Sequence, residues 1–301
     1  MVDDNPNDSL VGKDNQKIDD LRQFMDAMFS FASQVPNKND HPLQVIHASK
    51  SLIGMSLDHP PRNLLKWLDD YVKDFIPNFN PPAKSDNNLF PETITYTHLE
   101  KLILNKEESE SNIYLTHLLQ VADPLHIAEF LIEVGAQKSP GSFLFCWSAY
   151  RTIQLLGEKN GHSILYHCIP KLLAMQETEN NNEKLLFDQV ELYCHQFQIR
   201  KTEMVRKNKI IPHLDIMIQR IERELNCTSQ PIIPIALGSA IKKDGDRGII
   251  SYLSNLKIED ISVDLILIID ALRSALKFSD NLKDPVLLHI INNTIETEHV
   301  K

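Results

Sequence analysis

Apolar residues recur every three to four positions along most of this chain, which is the spacing of one face of an α-helix. Between residues 18 and 35 the pattern is especially regular, with Ile18, Leu21, Met25, Met28, Ala32 and Val35 on one face. The sequence lacks the strand-like alternation between hairpin turns that is typical of β-proteins, and it has only nine glycines. The pattern therefore predicts an all-α protein of about eleven or twelve helices.

Several predicted helices begin with a capping side chain followed by proline. The pairs are Asp123-Pro124, Ser139-Pro140 and Asp284-Pro285. A capping oxygen accepts an amide proton of the first turn, and proline at the first helical position loses no helical hydrogen bond. Gly157 stands where the helix that starts at Pro140 needs a C-terminal cap.

The sequence also resembles itself. Residues Ile127–His167 align without a gap on Ile249–His289 at a constant offset of 122. Leu43–His47 form part of a third copy, which aligns on Ser163–His167. Identical residues in the main alignment are Ile127/Ile249, Leu131/Leu253, Ala149/Ala271, Arg151/Arg273, Leu165/Leu287 and His167/His289. We therefore predict an internally duplicated helical array.

The copies differ in completeness, which suggests how the chain is organised. We expect the N-terminal and C-terminal partial repeats to pack together, because each lacks a helix that the other has, and residues 17–301 to form one body. The predicted segments are a disordered tail (1–16), an N-terminal partial repeat (17–76), a linker rich in proline and asparagine (77–92), a complete central repeat (93–227) and a C-terminal partial repeat (228–301).

Composition excludes some classes of function. The hydrophobic fraction of 42% and the charged fraction of 24% are typical of a soluble globular protein. A net charge of −10 argues against binding to nucleic acid or to an anionic membrane surface. No apolar run approaches the roughly 20 residues that cross a bilayer. We therefore expect a small molecule or a partner protein as the binding partner.

The cysteines and the N-terminus indicate the compartment. The four cysteines show no CxxC spacing, and we interpret them as buried apolar residues in a reducing environment. The N-terminal residues are acidic and polar, unlike a secretory or transit signal. These features predict a cytoplasmic protein.

Three histidines occupy equivalent positions in the repeats. His47, His167 and His289 each follow an apolar run in the first half of a predicted helix. Equivalent positions can face a shared axis, so these rings could converge on a metal, a cofactor or a substrate. The alternative, which we consider more common, is a structural histidine whose ring binds a neighbouring carbonyl. The sequence indicates no particular cofactor and no oligomeric state.

Two arginines are also equivalent. Arg151 and Arg273 lie on the most apolar helix of each unit, where a buried guanidinium needs an anionic partner. Asp270 is near the second arginine, whereas Ser148 holds the matching place in the first copy. An ion pair between helices is therefore the main expectation, and binding of an anionic group is the alternative.

Familiar catalytic motifs are missing from the sequence. It contains no HExxH, no His-Asp dipeptide, no GxSxG and no glycine-rich phosphate loop. The only Glu-x-x-His match, Glu296–His299, lies at the end of the sequence, and Cys146 lacks the electropositive setting of a nucleophile.

Some segments resemble the questin oxidase-like family. They are Asp123–Leu131, Gly161–His167 and Pro42–Ala48, and the likeness extends over about residues 18–75 and 113–295 as a pattern of residue types. The resemblance implies an all-helical repetitive fold. It also implies an oxygenase activity of the Baeyer–Villiger type on polyketide quinones, with a nicotinamide reductant. No stretch matches a motif diagnostic of that chemistry, so no catalytic residue is assigned from it.

Two functional classes follow from these observations. The first is a small-molecule-binding or oxidoreductase-like protein with a pocket at the repeat axis. In it, His47, His167 and His289 surround the pocket while Arg151 and Arg273 hold an anionic group. The second is a non-catalytic helical scaffold that binds partner proteins. Convergence of the histidines beside a cavity favours the first class, and local bonding of each ring favours the second.

Overall fold

The computed structural model describes residues 6–36, 41–79, 93–138, 140–174, 233–278 and 294–295. These residues form eleven α-helices, so the all-α prediction is confirmed. A single turn of 3₁₀ helix (Ile258–Asp260) and a two-residue parallel strand pair, Ile233–Pro234 with Thr294–Ile295, complete the described structure. The helices are α1 (Pro6–Ala32), α2 (Leu43–Ile53), α3 (Arg62–Val72), α4 (Tyr96–Leu104), α5 (Glu108–Val121), α6 (Pro124–Lys138), α7 (Pro140–Leu156), α8 (Glu158–Leu173), α9 (Ile235–Asp244), α10 (Asp246–Asn255) and α11 (Val263–Phe278).

The first helix begins earlier than the sequence analysis predicts. Helix α1 starts at Pro6 and includes residues 6–16, for which we expected a disordered tail. Helix propagation adds one hydrogen bond for each residue that is ordered, so a helix nucleated by the apolar face from Ile18 onward can extend into a polar segment. The predicted boundary between the N-terminal tail and the first partial repeat, at residue 17, therefore does not coincide with a change of secondary structure.

Local capping agrees with the predicted signals at two helix ends. The N–H of Leu125 bonds to the Asp123 carboxylate (2.7 Å) at the start of α6. Gly157 follows α7 with φ +77°, a conformation that a glycine adopts without steric cost, and its N–H bonds to the Ile153 carbonyl. The cap predicted at Asp284-Pro285 lies outside the described residues.

Helix α7 lies at the centre of the described core. It packs against α6, α8 and α2, and its residues Phe143, Phe145 and Ile153 are fully buried. Gly135 of α6 allows α6 and α7 to pack closely, because a Cβ at this position would stand 3.1 Å from the backbone of Phe143 on α7. The most apolar helix of the central segment is therefore surrounded by other helices.

Helices from the N-terminal and C-terminal segments are in contact. Helix α11 packs against α2, while α10 and the 3₁₀ turn pack against α3. The side-chain amide of Asn63 donates a hydrogen bond to the carbonyl of Leu256 (2.8 Å) across this interface. Residues of these two segments of the chain are therefore in direct contact at this interface.

Only two of the four pairs of helix ends follow the offset of the proposed repeat, because α6 and α10 end at Lys138 and Asn255 while α7 and α11 begin at Pro140 and Val263. Helices α6 and α10 begin at Pro124 and Asp246, which are related by the offset of 122. Helices α7 and α11 end at Leu156 and Phe278, which are related by the same offset. Residues 175–232 and 279–293, which contain the end of the predicted central repeat and most of the predicted helix of His289, lie outside the described residues, and the duplication stays a prediction.

The beginning of the predicted linker is part of the packed structure. Phe79 donates its N–H to the carbonyl of Gln34 (2.7 Å), and its ring lies 4.3 Å from that of His167. An aromatic ring in a polar stretch gains more from burial than from exposure, so the chain remains attached to the core at this point. No helix in the described ranges is long and apolar enough to cross a membrane.

Candidate functional site

Helices α2, α7 and α11 meet around one buried carboxylate. Asp270 of α11 is only 1% exposed. Arg273 lies three residues later on the same face of the helix, and its Nε and Nη2 both approach Asp270 Oδ1 at 2.9 Å. This ion pair lies within α11, whereas the sequence analysis expected an ion pair between helices.

The equivalent arginine of α7 reaches the same carboxylate from the other side. Nη1 of Arg151 lies 3.8 Å from Asp270 Oδ2, and its Nη2 donates to the hydroxyl of Ser51 on α2 (3.2 Å). Ser51 in turn donates to the carbonyl of His47 (3.0 Å). The structure thus brings Arg151 and Arg273 together on one aspartate and links three helices from three segments of the chain.

A further cation belongs to this group. Lys50 of α2 is partly buried and interacts electrostatically with both arginines and with Asp270. Its pKa is lowered from the usual value, first by burial and then by the charges of Arg151 and Arg273, while Asp270 acts in the opposite direction. We refer to Lys50, Arg151, Asp270 and Arg273 as the cationic cluster, because two guanidiniums lie 3.8 and 2.9 Å from the Asp270 carboxylate and Lys50 interacts electrostatically with all three groups.

His47 adjoins the cationic cluster beside a very small cavity. The volume of the cavity is about 10 Å³, close to the space that one water molecule needs. Burial, followed by the charge of Arg151, lowers the pKa of His47 well below its usual value, so the ring is neutral at pH 7. The cavity is lined by Gln44, His47, Ala48, Leu144, Ser148, Arg151, Leu267 and Asp270.

His167 lies in different surroundings. Its Nε2 donates a hydrogen bond to the carbonyl of Ser33 (3.0 Å), as expected for a structural histidine. Its ring packs against Phe79 and lies 4.8 Å from the ring of His41. The pKa of His167 is lowered chiefly by burial. His167 is thus not among the residues that line the cavity beside His47, and His289 lies outside the described residues.

His41 is a buried histidine that the sequence analysis did not single out as a site residue. Its Nδ1 accepts the N–H of Leu43 (3.2 Å) at the start of α2, and its ring meets Phe145 edge-on. Burial, followed by the neighbouring His167, lowers the pKa of His41 to about 3. The only signal in the sequence is its place directly before Pro42 at a helix start.

The described residues contain no group of three or more His, Cys, Asp or Glu side chains that could hold a metal ion. Cys146 and Cys168 are buried free thiols, which agrees with their predicted apolar role. Cys194, Cys227 and the Glu296–His299 segment lie outside the described residues.

Comparison of the chain with models of protein families, with curated proteins and with solved structures gives no match. The resemblance to the questin oxidase-like family stays a prediction from the sequence.

Proposed function

We propose that this protein binds a small anion, or the anionic group of a small molecule, at the cationic cluster. The observation that carries the proposal is the excess of positive charge around Asp270. Two arginines converge on this single carboxylate, and Lys50 interacts electrostatically with all three groups. His47, being neutral at pH 7, adds no charge.

The local charge outweighs the negative charge of the whole chain. The net charge of −10 opposes anion binding from a distance, but charges beyond about 10 Å are screened at moderate salt. At about 4 Å near a protein surface, one pair of opposite charges is worth about 4 kcal/mol. An anion in contact with two guanidiniums therefore gains more than it loses to remote carboxylates, and the nearby Asp270 carboxylate offsets only one of the two positive charges.

The geometry indicates a carboxylate or a phosphate. A guanidinium presents several N–H donors in one plane, which suits bidentate binding of such groups. Arg151 remains 22% exposed and Arg273 13% exposed, so solvent reaches part of each side chain. The 10 Å³ cavity is too small for the ligand, and the anionic group would therefore bind at the exposed edge of the arginines.

The cavity beside His47 supports the oxidoreductase-like hypothesis less than it supports anion binding. Pockets for drug-sized ligands usually measure about 300 Å³ or more, far above the volume of the cavity beside His47. We therefore propose anion binding, without a redox step, as the role of His47 and the cationic cluster.

We further propose that the cluster lies at the axis of an internal duplication. Arg151 and Arg273 are equivalent under the offset of 122, and both approach Asp270. Ser148 and Asp270 are also equivalent, and both line the cavity beside His47. Equivalent residues that meet at one point are expected near a pseudo-twofold axis.

We propose a reducing compartment such as the cytoplasm for the protein. Cys146 and Cys168 are buried among apolar side chains, and the four cysteines of the sequence show no CxxC spacing. This pattern favours an environment that keeps cysteines reduced.

A thermal-shift series tests the proposed function. Phosphate, sulfate and small carboxylates should raise the melting temperature of the wild-type protein above that in sodium chloride of equal ionic strength. The rise should be lost in Arg151→Gln and kept in Arg62→Gln, a matched control, since Arg62 is exposed on α3. An equal rise in both variants would contradict the assignment to the cationic cluster.

The second candidate function is a protein-binding scaffold. It is favoured by an aromatic ladder that runs from α3 into the turn after it, in which Trp67 stacks on Tyr71 at 5.2 Å and Tyr71 meets Phe75 at 5.2 Å. Ile76, which follows the ladder, is 72% exposed. If no anion changes the melting temperature of the wild-type protein, the scaffold becomes the better account, and crosslinks to a partner should map to α3.

A further inference from the structure

Two buried histidine rings lie next to each other where the end of α1 meets α8. The centres of the His41 and His167 rings are 4.8 Å apart, and both residues are almost completely buried. His167 of α8 donates to the carbonyl of Ser33, directly after α1, so the pair joins the end of α1 to the core. Neither ring lines the cavity of the candidate site, so this pair is independent of the proposed function.

The hydrogen bonds of the two rings determine where each ring can take up a proton. Nδ1 of His41 accepts the N–H of Leu43 at the start of α2 (3.2 Å), so this nitrogen cannot be protonated while the bond lasts. Nε2 of His167 donates to the Ser33 carbonyl (3.0 Å), so a second proton must enter at the buried Nδ1. Protonation of His41 therefore breaks a bond at the start of α2, and protonation of His167 places a charge in the interior.

The rings pack against aromatic side chains from two other elements. Phe145 of α7 meets His41 edge-on at 5.2 Å, and Phe79, after α3, lies 4.3 Å from the ring of His167. The N–H of Phe79 also donates to the carbonyl of Gln34, beyond α1 (2.7 Å). Phe79 therefore closes the same junction, and a charged imidazole ring there would exchange water for apolar side chains.

The charges around His41 also oppose its protonation. Among the described residues, His167 and Lys171, both on α8, are the groups whose charge acts against an added proton on His41. Two backbone carbonyls at the end of α1 favour the proton, but burial outweighs them and lowers the pKa of His41 to about 3. The pKa of His167 is lowered as well, chiefly by burial. Asp40, which precedes His41, lies outside the described residues.

We propose that His41 and His167 form a pH-sensitive latch, which in mild acid releases the end of α1 and the segment at Phe79 from α7 and α8 while α9 and α10 stay folded. Each ring takes up a proton more readily in water than in the closed junction, so acid favours the open form. The opening is local, because α1 packs chiefly against α2 and the junction can separate without parting α7 from α6 and α8.

Hydrogen exchange followed by mass spectrometry tests the latch in the full-length protein. Exchange is measured at pH 7 and pH 5 and corrected for the intrinsic effect of pH. The protection of the amides of residues 33–35, 43 and 79, which are all hydrogen-bonded at the junction, should fall by about 25-fold or more. This ratio is the one expected for a histidine whose pKa is about 3 in the closed form and 6.5 in the open form.

The amides of α9 and α10 provide the internal reference, because these helices lie outside the junction. They should keep their protection at pH 5. An equal fall in both regions would show that acid unfolds the whole protein, and an unchanged protection at residues 33–35 would show that the junction stays closed. Either result would overturn the proposal.

Two substitutions keep the hydrogen bonds of the rings but remove their titration. His41→Asn supplies an oxygen that can accept the N–H of Leu43, and His167→Gln supplies an N–H that can donate to Ser33. The double variant should lose the pH dependence of exchange at the junction. His59→Asn is the matched control, because His59 is exposed, and it should keep the 25-fold change.

Circular dichroism at pH 7 establishes that each variant is folded. The same pH dependence in the double variant as in the wild-type protein would contradict the latch. If the double variant does not fold, the comparison of the two regions in the wild-type protein decides the question by itself.

Discussion

The guanidinium of Arg151 lies 3.8 Å from the carboxylate of Asp270, and this ion pair joins α7 to α11 across the interior of the protein. Arg273 holds the same carboxylate from within α11, and Ser51 binds Arg151 from α2. One aspartate therefore connects helices from the N-terminal, central and C-terminal segments. Substitution of Asp270 should therefore lower the stability of the fold and change the charge of the candidate site.

Replacement of Asp270 by asparagine should lower the free energy of unfolding by about 2 kcal/mol. Removing one partner of a buried ion pair costs about 3–5 kcal/mol, and partial exposure of the two arginines reduces this cost. Urea denaturation measures the change. Asp69→Asn is the matched control, because Asp69 pairs with Lys73 on the exposed surface of α3 and should leave the midpoint unchanged. Equal midpoints for both variants would contradict a stabilising role of Asp270.

The buried His41 predicts a loss of stability in mild acid. Its pKa is about 3 in the folded protein and near 6.5 when the chain is unfolded. At pH values between these two, the His41 ring is protonated in the unfolded state but not in the folded state. The stabilising contribution is complete above pH 6.5 and falls as the pH is lowered toward 3. Between pH 7 and pH 5, one such histidine lowers the free energy of unfolding by about 2 kcal/mol.

Urea denaturation at pH 7 and pH 5 tests this expectation with the variant His41→Leu. The free energy of unfolding of the wild-type protein should fall by about 2 kcal/mol more than that of the variant between the two pH values, since both proteins retain the buried His47 and His167. Among the described residues, His167 and Lys171 are the titratable groups whose charge acts on His41. The same pH dependence in both proteins would show that His41 does not carry the effect.

Because α9 packs closely against α10, substitution of Gly248 should strongly destabilise the protein. A Cβ at this position would stand 2.1 Å from the carbonyl oxygen of Ala240, which is backbone and cannot rotate away. Gly248→Ala should therefore lower the free energy of unfolding by about 2–3 kcal/mol, as overpacking does. Gly54→Ala is the control, because φ is −65° there and the nearest atom would be 3.3 Å away. Thermal or urea unfolding of the two variants measures the difference.

Helical periodicity predicted the fold class because it reflects local geometry, which each helix satisfies by itself. The pairing of Arg273 with Asp270 was also predictable, since the two residues lie three apart on one helix. Convergence of Arg151 on the same carboxylate depends on how α7 packs against α11, and the repeat offset suggested only that the two arginines are equivalent.

Other features escaped the sequence analysis because they arise from tertiary packing. His41 is buried by contacts with Phe145 and His167, which lie more than 100 positions away along the chain. Lys50 is a common type of residue at a helix end, and only the helices packed on α2 give it two guanidinium neighbours. Local sequence patterns carry no information about such neighbours.

Calorimetric titration with inorganic phosphate is the most direct test of the central claim. At low ionic strength, the wild-type protein should bind about one phosphate per chain. The double variant Arg151→Gln/Arg273→Gln, shown to be folded by circular dichroism, should bind at least about tenfold more weakly, a loss of about 1.4 kcal/mol or more. Absence of binding to the wild-type protein, or equal affinity in the double variant, would contradict anion binding at the cationic cluster.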